Sequence, residues 1–252
     1  TVLNVGGNMT IEESAILEII ADLETGLTPY IQCGALDLRA GGTINADYRG
    51  FEHELGPGAG GARGGGGYGG QGSPGRSMSG AFGGPAYGVQ HAPLFAGSGG
   101  ARTGFAGRGG GLVRVSARGN MVVDGTITAK GMSCPSVHAA GGSGGGILLT
   151  SGCFRGTGQL HVDAGNGDGT GGSGGGGRIA VWTPFLSHEF VQVIADRENL
   201  PAAATVVDPE AWSGWTGTYS VAKGSGGEND DQAEDGTVFF GKLMFGTLLM
   251  IQ

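Results

Sequence analysis

The sequence predicts an all-β chain: a right-handed parallel β-helix, or solenoid, of about five coils, interrupted by glycine-rich insertions of polyglycine II type. Three observations carry this prediction. A short unit of small and apolar residues recurs, as AILEI at 15–19, GTINA at 42–46, GTITA at 125–129 and GQLHV at 158–162. Runs that alternate apolar and polar residues accompany these units: VLNV at 2–5, ALDL at 35–38, LVRVS at 112–116, ILLTS at 147–151 and RIAVW at 178–182. Period-two alternation is the mark of half-buried strands. Glycine supplies 59 of 252 residues and gathers in runs between the repeats.

The elements follow in order. VLNV opens the first strand. The segment 11–23 is the nearest approach to helical spacing, yet its β-branched and alternating residues suit a strand at least as well. ALDL and GTINA form the second repeat, LVRVS and GTITA the third, ILLTS and GQLHV the fourth, and RIAVW opens the fifth. No two-residue hairpin loop joins one run to the next, so the strands are read as stacked coils, each burying its apolar stripe on its neighbour. Stacking places Leu17, Ile44, Ile127 and Leu160 in one inward ladder. The right hand follows the general rule for parallel crossovers. A two-sheet β-sandwich built from the same strands is the competing architecture.

Two regions result. Residues 1–183 form the glycine-rich solenoid, with an insertion at 52–111. Residues 184–252 form a β-rich region that caps it or mediates assembly. The insertion carries Tyr68, Phe82, Tyr87, Phe95 and Phe105 among its glycines. A flexible linker has no use for five aromatic rings, so the tract is expected to be ordered. Extended glycine segments would lie side by side, held by backbone and Cα–H···O contacts, with the rings packed on the flank of the strands.

Composition narrows the function. Hydrophobic residues make up 38% and charged residues 14% of the chain, the reverse of a disordered sequence. Glycine runs without a three-residue period exclude collagen. A net charge of −8 with no basic patch speaks against nucleic acid. No apolar run approaches the ~18 residues of a membrane span. Low charge, many Ser, Thr and Asn residues, a first residue other than methionine and only three cysteines fit a secreted, extracellular or cell-surface protein. Cys33, Cys134 and Cys153 fit no zinc pattern. They are either buried thiols, or Cys134 and Cys153 form a disulfide across neighbouring coils.

GTINAD, DGTITAKG, the GGYGGQG insertion and GGGGRIAVW together resemble a broad group of glycine-rich secreted bacterial proteins with β-helix-like repeats. The likeness covers roughly residues 1–182. It implies a cell-surface or extracellular structural role, and it brings no catalytic residues with it.

The chemistry-bearing patterns are thin. GGSGGGILL lacks the Lys-Ser/Thr of a phosphate loop and runs on as a strand. AGNGDGTGG departs from the calcium-binding nonapeptide pattern. Asp163, Asp168 and the acidic run Glu228, Asp230, Asp231, Glu234, Asp235 leave calcium as the one cofactor to weigh, against the plainer reading of solvated loops. Asp37, Asp124 and Asp163, with Arg39 and Arg114, are the residues a polysaccharide-active β-helix enzyme would use. An outward Asp37–Arg39 ion pair explains two of them without chemistry. The Thr126–Thr128 pair has no Thr-x-Thr counterpart in the other repeats, which speaks against ice binding.

The chain is therefore read as a non-enzyme without cofactors: a self-assembling subunit of a filament or surface layer, or else a glycan-binding adhesin. Its assembly surface is placed on the terminal strands, in Val2, Leu3 and Val5 at one end and Phe239, Phe240, Leu243, Phe245, Leu248, Leu249 and Ile251 at the other. Open strand edges template further strands, and two ends that are not self-complementary join head to tail into a homopolymer.

Overall fold

A computed structural model describes residues 2–76, 79–101, 106–134, 138–197 and 199–243. Phe105, Phe245, Leu248, Leu249 and Ile251 lie outside the described residues.

The alternating runs become strands. The first pass of the chain makes β1 (Val2–Asn4), β2 (Met9–Ile11) and β3 (Ile16–Glu18). The second makes β4 (Tyr30–Cys33), β5 (Leu36–Leu38) and β6 (Thr43–Asn45). Then come β7 (Leu112–Val123) and β8 (Thr126–Thr128), followed by β9 (Gly146–Arg155) and β10 (Gln159–His161). β11 (Arg178–Thr183) leads into a helix, α1 (His188–Ala195). β12 (Ala204–Val206), β13 (Thr218–Ser220) and β14 (Thr237–Leu243) complete the set.

These strands divide between two sheets. The larger, sheet A, has nine strands in the order β1-β4-β7-β9-β11-β14-β12, with β2 and β5 continuing its second row. Sheet B has five, in the order β13-β10-β8-β6-β3. Every pairing is parallel except β12 with β14. Parallel neighbours need a crossover, and here the crossover from one sheet A strand to the next carries a strand of sheet B. The core fills the space between the sheets. Leu17, Ile44, Ile127 and Leu160 stand opposite one another in register, and the last three are fully buried. Val113, Val115, Ile147, Leu149, Ile179 and Val181 of sheet A join them in one cluster.

The fold nevertheless corrects the all-β solenoid expected from the repeats. It is mixed α/β, with 31% strand and 6% helix, and its two sheets do not close into a solenoid. The physical cause lies in the glycine tracts. After β6, β8 and β10 the chain leaves sheet B and enters segments whose described residues form no strand or helix. Without side chains these segments have no apolar stripe to bury on a sheet. Their backbones bond sideways instead. Gly65 N donates to Ser73 O at 2.9 Å, Gly66 N to Gly141 O at 3.0 Å and Gly67 N to Gly58 O at 2.8 Å. Three successive amides thus reach three different segments. A Cβ on Gly84 would land on the Gly58 carbonyl oxygen, and one on Gly144 on the Val162 carbonyl oxygen. Only glycine permits that approach.

The insertion is anchored by some of its aromatic rings and not by others. Tyr68 is fully buried, whereas Phe82 and Phe95 are about half exposed. The last third completes both sheets rather than standing apart, since β13 extends sheet B and β14 pairs with β11. α1 was not evident in the sequence. Ser187 caps it, its Oγ accepting from Phe190 N at 3.2 Å, and Val191 and Ile194 are buried against Trp182, Leu148 and Phe239.

Candidate functional site

Alternation puts Val113, Val115, Ile179 and Val181 inward, so Leu112, Arg114, Ser116, Leu148, Arg178, Ala180 and Trp182 face the other side of sheet A. That outer face is covered too. α1 and the segment 89–94 lie over it, and Ala92, Leu148, Ala180, Trp182, Leu186, Val191 and Ile194 make a second apolar cluster. Arg114 and Arg178, which an open sheet would leave in water, are therefore drawn into low dielectric.

Arg178 is 7% exposed. Its Nε and Nη2 donate to Tyr87 O at 3.1 and 2.9 Å, and its Nη1 to Thr237 Oγ1 at 2.9 Å. Its Cζ stands 5.6 Å from the centre of the Tyr68 ring. Tyr68 packs on Tyr87 at 4.8 Å between ring centres, and Tyr87 on Phe95 at 5.8 Å. Arg114 sits 5.6 Å from the Tyr30 ring, and its Nη2 donates to Thr28 O at 2.9 Å. Its Nε is buried without a hydrogen-bond partner, as is Thr28 Oγ1. Leaving such groups unsatisfied costs about 1–3 kcal/mol each. Burial lowers both arginine pKa values, and it raises those of Tyr68 and Tyr87. Among the described residues no carboxylate is within ion-pair reach of either guanidinium.

A chain of hydroxyls runs beside Arg114: Tyr30 Oη donates to Ser116 Oγ at 2.5 Å, Ser116 and Thr150 share a hydrogen bond of 2.6 Å, and Thr150 Oγ1 donates to Leu186 O at 3.2 Å. Two cavities open on this face. One, of about 280 Å³, is lined by Gly26, Leu27, Thr28, Leu94, Phe95, Arg114, Gln192, Ala195 and Asp196. The other, of about 450 Å³, is shallower and lies beside Arg178, His91 and Asn199. His91 is held there by a 3.0 Å contact between Nε2 and Ile194 O, and its carbonyl accepts from Trp182 Nε1 at 2.7 Å.

The carboxylates singled out in the sequence do not converge. Asp37 is paired at the surface with Arg39, which also meets Glu12. Asp124 accepts from Thr157 N and Oγ1 at 2.9 and 3.0 Å. Asp163 accepts from Ser220 Oγ and Ala222 N, with Lys130 Nζ 3.8 Å away. Each fixes a turn. The acidic run likewise docks on the glycine layer, Asp230 accepting from Ser173 Oγ and Glu234 from Gln71 N. No cluster of three or more metal-ligating side chains occurs among the described residues.

Two expectations are corrected. Cys134 and Cys153 are not bridged. Cys153 stands opposite Asn120 in sheet A, while Cys134 N donates to Asn166 O beyond the far end of sheet B. Of the C-terminal assembly residues, three lie within the described residues, and these are packed inside the chain. Phe239, Phe240 and Leu243 are buried in their own chain, on Trp182, Trp212 and Phe154. At the other end Val2 and Leu3 are half exposed on an edge strand and Val5 is partly buried against the core.

Arg114 appeared in the sequence only as a partner for catalytic acids. Arg178, His91 and Thr28 were not singled out. The available signal was an arginine in each of two otherwise apolar strand runs, LVRVS and RIAVW. No family model, curated protein or solved structure matches the chain. No helix among the described residues is long and apolar enough to cross a membrane.

Proposed function

We propose that this chain is a non-enzymatic structural subunit of an extracellular or surface assembly, and that copies join edge to edge through sheet B. One observation carries the reading: the large exposed apolar side chains concentrate at the β1–β3 end. Val2, Leu3, Ile16, Ile20 and Leu27 are 50–73% exposed there. Exposed apolar side chains beside unpaired strand edges mark those edges for further pairing.

Sheet B supports a head-to-tail geometry, because its two outer strands are β3 and β13 and all its pairs are parallel. β13 of a second copy laid on β3 continues the sheet in the same sense, and the contact is heterologous and propagates. Sheet A is less suited, since antiparallel β12 covers part of β14 at its far side. Light scattering and negative-stain microscopy test this reading. Concentrated protein is expected to form filaments, and Ile16→Lys to leave folded monomers. A wild-type chain that stays monomeric at high concentration overturns it.

A further inference from the structure

The geometry points to a binding site for a carboxylate-bearing monosaccharide, a hexuronate, in the 280 Å³ cavity beneath α1. The cavity shares Leu27 with the exposed apolar residues of the assembly proposed above, but its argument rests on Arg114 and the rest of its lining.

Arg114 supplies the first argument. Its guanidinium is largely withdrawn from water, yet of its donors only Nη2 is engaged by protein, at Thr28 O. Nε and Thr28 Oγ1 are buried without partners and sealed from the cavity as from water, so a ligand meets the outer edge of the guanidinium. A chain with net charge −8 has 22 acidic residues to spend, and none is set against this guanidinium among the described residues. Tyr30 and Ser116 instead hold the arginine side of the strand with neutral groups. A half-buried arginine without an ion-pair partner is set to receive an anion, and a carboxylate is a singly charged acceptor for its remaining donor.

The rest of the cavity narrows the ligand. Gln192 of α1 and Asp196, the residue that caps its C-terminus, also line the cavity. A carboxylate there opposes a doubly charged phosphate or sulfate more than a singly charged carboxylate, and it accepts hydrogen bonds from hydroxyl groups. Phe95, about half exposed, with Leu27 and Leu94, offers apolar surface for the C–H face of a sugar ring. The volume is below the range of drug-sized pockets and suits a single ring. A basic group, hydroxyl acceptors and apolar surface lining one cavity are the complement of a uronate.

Titration calorimetry and ligand-observed NMR with D-galacturonate and D-glucuronate test the assignment, with galactose, acetate and inorganic phosphate as controls. At least one uronate is expected to bind in the millimolar range or tighter, each control at least tenfold more weakly. Arg114→Met should abolish that preference in a protein that still folds. Should it not fold, Gln192→Ala on the partly exposed rim serves instead, and is expected to weaken uronate binding at least threefold. Phosphate or acetate binding as well as a uronate, or Asp196→Asn strengthening anion binding in general, reduces the cavity to a simple anion site and overturns the proposal. Failure of both uronates to bind the wild-type protein overturns it as well.

Discussion

Cys33 shows how position alone sets the chemistry of a side chain. It ends β4, is 4% exposed and lies against Ser116 O at 3.8 Å. Burial pushes its thiol up to about 11 from an ordinary 9.0. Tyr68 and Tyr87 are displaced in the same direction, by burial first. All three groups are neutral when protonated, so the folded state holds its protons longer than the unfolded chain does. Stability is unaffected below the ordinary values and falls as pH rises from about 9, through 11 and beyond. Unfolding followed by Trp fluorescence across pH 7–11 should therefore show a midpoint that is flat to about pH 9 and then drops. Thiol labelling at pH 8 should modify exposed Cys153 readily and leave Cys33 untouched until denaturant is added. Ready labelling of Cys33 in folded protein would contradict its place in the core.

At the scale of elements, α1 is the piece on which the outer face depends. It has eight residues, too few to be stable alone. Its persistence comes from Val191 and Ile194 on the sheet and from the Ser187 cap. Ser187→Ala is expected to cost about 1 kcal/mol. The loss should be visible as a shifted denaturation midpoint and as faster hydrogen exchange confined to 188–195. The glycine segments are elements of another kind. They carry no apolar stripe and are held by amides that reach several neighbours at once, such as Gly175 N to Gly66 O at 2.9 Å and Gly142 N to Met132 O at 3.0 Å.

Across the whole molecule, the last strand ties the core together. Phe240 is fully buried, 5.2 Å from Trp212 and 6.0 Å from Phe154 between ring centres, and its carbonyl accepts from Val207 N at 2.8 Å. A strand from the end of the chain thus closes a core begun by Ile11. Phe240→Ala is expected to cost about 3–5 kcal/mol. Because sheets A and B share one core, the loss should appear as a lower midpoint of a single transition measured by circular dichroism and by Trp fluorescence. Two separate transitions, with only the region after residue 184 weakened, would show that the last third folds as its own unit.

The local grammar of this protein was legible in its sequence. Period-two alternation located β1, β5, β7, β9 and β11, and the recurring GTITA-type unit located sheet B and the ladder of Leu17, Ile44, Ile127 and Leu160. Such patterns are readable because a strand half in the core must alternate whatever surrounds it. The arrangement of those strands was decided in three dimensions. Identical repeats suit a closed solenoid or two facing sheets, and backbone contacts among distant glycines, which leave no side-chain pattern, chose the second. Phe239 and Phe240 suit an intersubunit strand because apolar residues need cover; that Trp182, Trp212 and Phe154 of the same chain cover them depends on long-range packing. The site beneath α1 was hidden for the same reason. Arg114 and Arg178 alternate outward like any surface arginine, and they became buried, unpaired cations only once the helix and the segment at 89–94 folded over the outer face of sheet A.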